Sequence, residues 1–150
     1  MVNIISYEDR FQPEFKKLNL EWLDRYNLTE SHDLLVLNDP RSSIIDRGGD
    51  IWLAEENGVI IGSIALMLTE EGFELAKLTV APEYRGRGIS KILIETCIAH
   101  ARERGVTRLI LFSNHQLVTA IKLYERFGFR HIQVEHSPFL TADVKMELLL

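Results

Sequence analysis

The stretch TVAPEYRGRGISKILIE, residues 79–95, joins a strand-like run to a helix-like run through two glycines and two arginines. The apolar run ends at Ala81-Pro82, and the residues after Gly88 repeat with a helical period. A helix begins with backbone N–H groups that have no partner inside it, and a Ser, Thr, Asp or Asn side chain usually caps them. No such residue stands at this junction. One interpretation is that an anion from outside the chain caps these amides.

The glycines suit this interpretation because they let successive amides turn toward one point and let a bulky anion approach. Arg85 and Arg87 add positive charge at the same place. A diphosphate on the amides from about Arg87 to Ser90 would fit this chemistry, although the spacing is not that of a P-loop or a dinucleotide fingerprint. The alternative is an ordinary surface turn with two solvated arginines.

The hydrophobic pattern around this stretch predicts an element order of β-α-α-β-β-β-α-β-α-β-β. An amphipathic helix and a second, shorter helix precede a meander whose first turn is Asn57-Gly58, the strongest short hairpin signal. The segments FRHIQVE and TADVKMELLL predict a final pair of strands around Pro138. We therefore predict an α+β fold with a mixed, mostly antiparallel central sheet of about seven strands flanked by helices. The strand-helix-strand unit from Phe73 to Ser113 should contain a parallel pair.

Composition limits the class of protein. The chain has 150 residues, of which 46% are hydrophobic and 26% charged, as expected for one domain over residues 1–150. No apolar run approaches the roughly 18 to 20 residues of a membrane span, and no signal peptide is evident. The net charge of -5 argues against a general nucleic-acid binder. We therefore expect a cytoplasmic protein without membrane or nucleic-acid partners.

Cysteine and histidine usage gives no sign of a metal site. The single cysteine, Cys97, excludes an internal disulfide, and its place on an apolar helical stripe favours core packing. The histidines have no ligand spacing with one another or with a carboxylate, so no bound metal is expected. They are His32, His100, His115, His131 and His136.

The segment VAPEYRGRGISKILIE resembles the acyl-CoA signature of the GNAT superfamily of N-acetyltransferases, Arg/Gln-x-x-Gly-x-Gly/Ala. Arg85 and Gly88 match this signature, and Ser90 stands where the family usually has Gly or Ala. The segment SNHQLVTAIKLYERFGF, residues 113–129, is similar to the family at its Asn, Ala, Leu-Tyr and Gly-Phe positions. The resemblance covers most of the chain from about Asp50 onward. It implies the family's fold and acetyl-CoA as the acyl donor.

The resemblance also implies how acetyl-CoA is held. The strand before the signature would bind the pantetheine arm through its backbone at Leu78, Thr79 and Val80, with the Val80 amide pointing at the thioester oxygen. Such a donor stabilises developing negative charge. Ordinary ladder pairing is the alternative for this strand. The phosphate-binding residues would be Arg85, Gly86, Arg87, Gly88, Ile89 and Ser90.

Tyr124 is the predicted general acid. The resemblance places its hydroxyl near the sulfur, where it would protonate the departing thiolate. The competing interpretation is a core residue, because Tyr124 lies on an apolar helical stripe with Leu117, Ala120 and Phe127.

Glu74 is the predicted base, since it matches a glutamate that some family members use for this purpose; ordered water is the alternative. By the two-residue period of a strand, Glu74 should share a face with Ala76, Leu78 and Val80. A carboxylate at the edge of an apolar face has a raised pKa, which suits it to accept a proton from an ammonium group. Asn114, at the end of a buried strand, matches a position that bonds pantetheine amides, and it could also cap the next helix.

These residues predict an enzyme that transfers an acetyl group from acetyl-CoA to a primary amine by direct attack. A non-catalytic acyl-CoA-binding sensor or regulatory domain is the alternative. The amine acceptor stays open, because a small amine, an amino acid, an aminoglycoside and a peptide N-terminus all fit. Family members are often dimers, so a homodimer is compatible with the resemblance.

Overall fold

Seven strands form one sheet in the computed structural model, which describes residues 1–135 and 137–150. The strands are β1 (Asn3–Ser6), β2 (Asp50–Glu56), β3 (Val59–Thr69), β4 (Gly72–Val80), β5 (Arg108–Ser113), β6 (Arg130–Ile132) and β7 (Val144–Leu149). The α-helices are α1 (Gln12–Arg25), α2 (Ser31–Asn38), α3 (Ile89–Glu103) and α4 (Val118–Arg126). Their order along the chain is the predicted one.

The sheet is mixed, as predicted, and its strand order is β1-β2-β3-β4-β5-β7-β6. Strands β4 and β5 run parallel, with α3 connecting them, and the other neighbouring strands run antiparallel. The final pair of strands also forms, with Arg130 opposite Glu147. Strand β6 is shorter than its segment suggested, because the chain leaves the sheet after Ile132 and returns only at Val144.

The sheet separates two apolar cores. Helices α1 and α2 cover one face, where Phe15 and Leu37 are fully buried together with Leu53 of β2. Helix α3 covers the other face and buries Leu93 and Cys97 completely. Burial raises the pKa of the Cys97 thiol to about 12, so this cysteine packs as an uncharged group, as predicted.

Hydrogen bonds to Glu30 and to the end of β5 connect the segment between β6 and β7 to the rest of the protein. Glu30, just before α2, accepts hydrogen bonds from the Leu140 amide at 2.8 Å and from the Thr141 amide at 2.9 Å. The Asp143 amide donates to the Ser113 carbonyl at the end of β5. The segment therefore lies across the carboxyl end of β5, beside the amino-terminal end of α2.

Candidate active site

The parallel strands β4 and β5 pair at two positions and then separate. Phe73 lies opposite Leu109 and Glu74 opposite Ile110, and no later residues of the two strands pair. The edge of β4 that faces β5 is therefore left without a strand partner up to Val80. A cavity of about 130 Å³ occupies this gap and is lined from both faces of the sheet, by α1 on one side and α4 on the other.

A β-bulge shifts the register of β4 beside this cavity. Ala76 pairs with Ala65 but Thr79 pairs with Ser63, so β4 has one residue more than β3 over this stretch. Lys77 takes a left-handed φ of 56° in the bulge, and its carbonyl accepts a hydrogen bond from the Ser63 hydroxyl at 2.7 Å. The sequence gives no sign of this bulge, because a left-handed φ is usually adopted by Gly or Asn and here it is adopted by Lys77.

The bulge overturns one prediction made from the strand period. Glu74 and Ala76 share a face of the sheet, as predicted, but the extra residue brings Thr79 onto that face, where it lies 3.5 Å from a carbonyl of α1. Leu78 and Val80 pack instead against the core under α3. The prediction that they share a face with Glu74 is therefore wrong.

The amide of Val80 points into the gap between β4 and β5. Val80 lies opposite Gly62, and the next amide, that of Ala81, donates to the Ile61 carbonyl at 2.8 Å. In an antiparallel ladder this pattern leaves the N–H of Val80 on the edge away from β3. The Val80 N–H is therefore not used in pairing with β3. This is the group that was predicted to face the thioester oxygen.

The junction before α3 presents a row of free amides. The N–H groups of Gly86 to Lys91 have no acceptor within the described parts of the chain, and no side chain caps the helix. Gly86 and Gly88 have φ values of 78° and 77°, and a Cβ built on either would meet nothing within 4 Å. The loop is therefore open to a bulky anion at the positive end of the helix dipole.

The two arginine side chains of the loop contact other protein groups. Arg85 donates from Nε to the Val80 carbonyl at 3.2 Å, and its guanidinium lies 4.8 Å from the ring centre of Trp22. Arg87 pairs with Glu56 at 2.8 Å. The positive charges are thus held beside the loop, and the backbone amides are the groups left free to bind an anion.

Glu74 is a buried carboxylate at the start of the gap. Its side chain is 5% exposed, lines the cavity, and has no hydrogen-bond or ion-pair partner in residues 1–135 and 137–150. Burial raises its pKa from 4.5 to about 7, and the nearby Lys77 only partly opposes this effect. Glu74 therefore exchanges a proton in the neutral pH range.

Tyr124 reaches the same cavity from the opposite face of the sheet. Its ring is 8% exposed and packs edge-on against Phe129 at 5.9 Å, so the core interpretation is correct for the ring. Burial raises the pKa of the hydroxyl well above its ordinary value, so that Tyr124 stays protonated at neutral pH. A core ring and a cavity-lining proton donor are compatible in this position.

Asn114 holds the chain that follows β5. Its Nδ2 donates to the Thr141 carbonyl at 2.8 Å, and its Oδ1 accepts from the Gln116 amide at 3.0 Å. The side chain therefore caps the turn before α4 and fixes the segment between β6 and β7. The adjacent Ser113 hydroxyl is buried, lines the cavity, and has no partner within the described residues.

Two contacts at the site join distant parts of the chain. Lys77 and Asp33 form an ion pair at 3.0 Å, with side chains 7% and 3% exposed. Phe139, in the segment between β6 and β7, lies edge-on to His32 at 5.0 Å and to Phe112 at 6.4 Å. The ion pair was not predicted, because its two residues are far apart in the sequence and give no local signal of their contact.

The remaining sequence-based expectations concern metals and membranes. In residues 1–135 and 137–150, no group of three or more His, Cys, Asp or Glu side chains is placed to hold a metal ion. His115 is exposed and pairs with Asp143, and His136 lies outside the described residues. Within the same residues, no helix combines the length and apolarity needed to cross a bilayer.

Comparison with known proteins identifies the family. The profile described as "Acetyltransferase (GNAT) family" matches residues 8–129. The chain belongs to the GNAT family. The resemblance to this family in residues 80–95 and 113–129 is therefore confirmed.

Among curated GNAT relatives, N-acetyltransferase 8 of Rattus norvegicus is 30% identical over 115 residues, which cover 73% of this chain and 52% of the relative. The chain spans about half the length of the curated relatives it matches. A GNAT acetyltransferase structure from Staphylococcus aureus has a TM-score of 0.90 at 23% identity and covers 99% of both chains. The putative acetyltransferase yncA of Salmonella typhimurium, solved with its cofactor acetyl-CoA, has a TM-score of 0.74 at 20% identity, covering 99% of this chain and 94% of its own. These structures confirm the predicted fold.

Proposed function

We propose that this protein transfers an acetyl group from acetyl-CoA directly to a primary amine. The observation that carries the proposal is the cavity between β4 and β5, which Glu74 and Tyr124 line from opposite faces of the sheet. One is an unpaired carboxylate that accepts protons near neutral pH, and the other is a hydroxyl that retains its proton. Direct transfer to an amine needs a proton acceptor and a proton donor at one place.

The residues present fit acetyl-CoA, which supplies the acetyl group as a thioester. The free amides of Gly86 to Lys91 suit its diphosphate, because a helix amino terminus and turned glycine amides favour a bound anion. Leu78, Thr79 and Val80 form the edge of β4 that would carry the pantetheine arm, and Asn114, directly after β5, lines the gap. Binding at these positions would orient the acyl donor toward Glu74.

Three groups of the chain each take one part in the proposed reaction. Glu74 accepts the proton of the bound ammonium and so makes the amine nucleophilic. The Val80 amide is a fixed donor on the edge of the gap, where it can stabilise negative charge on the thioester oxygen. Tyr124 gives its proton to the leaving thiolate. No residue is placed in a covalent role, and Cys97 is fully buried.

A regulatory domain that only binds acetyl-CoA is less well supported. Binding alone gives no reason to keep a carboxylate buried without a partner, because such burial lowers stability. The assignment of residues 1–150 to one domain, the cytoplasmic location, the homodimer, and the lack of nucleic-acid and membrane partners stay predictions.

A thermal-shift titration tests the proposed donor. Acetyl-CoA and its analogue desulfo-CoA should raise the melting temperature, while ATP should not. The expected gain in the free energy of unfolding is RT ln(1 + [L]/Kd), where [L] is the concentration of free ligand. Turnover is then followed as release of the CoA thiol with a panel of amines. Absence of any shift at millimolar acetyl-CoA would contradict the proposal.

We expect kcat/KM to fall below neutral pH. The pKa of Glu74 is raised to about 7, and only its deprotonated form accepts a proton, so kcat/KM should drop about tenfold per pH unit well below pH 7. The measurement is a rate profile from pH 5.5 to 8.5, with an amine whose own pKa lies above this range. A flat profile would exclude Glu74 as the base.

Ser90→Asp should separate helix stability from donor binding. Ser90 is the second residue of α3, where a carboxylate should stabilise the helix amino terminus by about 0.3–1 kcal/mol. The same charge should weaken acetyl-CoA binding by about 100-fold, because it occupies the amides and repels phosphate. Calorimetric titration and melting curves measure the two effects, with Ser90→Ala as the control. Unchanged affinity in Ser90→Asp would place the phosphates elsewhere.

A further inference from the structure

A second, larger cavity adjoins the first on the α2 side of the sheet. Its volume is about 690 Å³, within the range of sites that enclose small molecules. Several residues line both cavities: Glu74, Ala76, Lys77, Phe112 and Phe139. The carboxylate of Glu74 thus stands where the two spaces meet. An acceptor in the larger cavity would reach the proposed base from the side opposite to Tyr124.

Among the described residues, the charged groups inside this larger cavity are already paired, apart from Glu74. Lys77 is held by Asp33 in the buried ion pair, and both oxygens of Glu71 accept from Lys145 at 2.7 Å. Burial lowers the pKa of His32, so its ring is neutral at neutral pH. The interior therefore offers a ligand one negative charge, which suits a single ammonium group.

The rim adds little net charge, because its exposed ionic residues in the part of the chain that the structure describes, Arg47 and Glu70, are of opposite sign. For a polycation, the described lining offers one buried carboxylate, Glu74, and no second unpaired one inside the cavity. Such an acceptor would have to lose water from its other ammonium groups without compensation. The charge pattern therefore disfavours polyamines and aminoglycosides.

Just over half of the described residues that line the larger cavity are apolar, and apolar side chains also stand at its mouth. Leu35 of α2 is 70% exposed and Leu68 of β3 is 44% exposed, both at this cavity. Further apolar groups line the interior: Met67, Ile110, Phe112 and Phe139. Exposed leucines around an apolar cavity are typical of a surface that binds an apolar ligand.

We propose that the acceptor is a primary amine carried on an apolar alkyl or aryl body, which binds in the larger cavity with its ammonium at Glu74. This substrate class rests on the proposed acetyl transfer. The ammonium satisfies the unpaired carboxylate, and the body covers the leucines at the mouth. Sugar hydroxyls or peptide amides in this cavity would leave the exposed leucines Leu35 and Leu68 uncovered.

A homologous series of amines tests the substrate class. From butylamine to octylamine, kcat/KM should rise about two- to fourfold per methylene, as apolar burial predicts. Spermidine, kanamycin and an alanine-initiated tripeptide should be at least tenfold poorer than octylamine. A rate that is independent of chain length, or a preference for any of the polar acceptors, would overturn the proposal.

A matched pair of variants on α2 locates the site. Leu35→Glu should lower kcat/KM for octylamine by about tenfold or more and affect butylamine less. Leu34→Glu is the control, since Leu34 is also exposed on α2 but does not line the cavity. Both positions are exposed, so both variants should fold. Equal effects of the two substitutions would place the acceptor outside this cavity.

Calorimetric binding of the same amines with desulfo-CoA present separates this inference from the proposed reaction. Chain-length-dependent binding without turnover would uphold the amine site and contradict acetyl transfer. Turnover of spermidine in preference to octylamine would uphold acetyl transfer and overturn the amine class. No binding of any alkylamine would also overturn it.

Discussion

Glu74→Gln should lower kcat by about 10²- to 10⁴-fold and, at pH 8, make the protein more stable. The loss of rate follows from removal of the proton acceptor, since glutamine has nearly the same shape but no basic oxygen. The variant should also lose the acid limb of the rate profile. Acetyl-CoA affinity should change little, because the phosphate-binding amides lie at the start of α3.

The gain in stability follows from the sign of the pKa shift. The folded-state pKa of Glu74 is about 7, against 4.5 as its ordinary value, so folding favours the protonated form. Protonated Glu74 therefore adds to the free energy of unfolding. This contribution is fully present below about pH 4.5 and is lost as the pH rises through 7. The shift corresponds to about 3 kcal/mol as an upper limit. We expect Glu74→Gln to melt higher than the parent at pH 8 and at a similar temperature near pH 4.5.

Glu95→Gln is the matched control, because Glu95 is an exposed carboxylate on α3. It should leave kcat and both melting temperatures unchanged. If Glu74→Gln keeps the parent's kcat, ordered water and not Glu74 removes the proton from the amine. A lower melting temperature at pH 8 would show that Glu74 has a stabilising partner in the folded protein.

Tyr124→Phe should lower kcat by about 10²- to 10⁴-fold with little change in the affinity for acetyl-CoA. The substitution removes the proton donor and keeps the ring that packs against Phe129. Stability should change by less than about 1 kcal/mol, because no protein group in the described residues accepts a hydrogen bond from this hydroxyl. The measurement is steady-state kinetics with melting curves of the same samples.

Tyr7→Phe is a close control for this variant. Tyr7 is also buried, at 7% exposure, and packs edge-on against Phe15 at 5.9 Å, but it lies in the core under α1 and α2. Its loss of a hydroxyl should not change kcat. If Tyr124→Phe keeps the parent's kcat, another group or solvent protonates the thiolate.

The parts of the site that depend on neighbouring residues could be predicted from the sequence. In residues 79–95, the sequence has glycines at the start of a helix that lacks a capping side chain. Gly86 and Gly88 do take left-handed φ values there. The Asn57-Gly58 turn was equally local, because both residues take positive φ between β2 and β3. The element order followed from these signals and from the apolar periods.

The parts that depend on distant contacts could not be predicted. The bulge places a lysine at positive φ against its usual preference, and this moved Leu78 and Val80 off the face of Glu74. The hydrogen bond from the Leu140 amide to Glu30, which is 110 residues away, has no local signal in the sequence. The pairing of Lys77 with Asp33 likewise joins β4 to α2. Each depends on the assembled fold and not on a local pattern.

Two-dimensional ¹⁵N NMR during an acetyl-CoA titration tests the central claim most directly. The claim is that the free amides before α3 bind the donor's phosphates and that the Val80 amide faces its thioester. Saturable shifts should therefore be largest at Gly86, Gly88, Ser90 and Val80, and desulfo-CoA should reproduce the shifts of the loop amides. Binding that leaves the loop amides and Val80 unshifted, or no binding at all, would contradict the account.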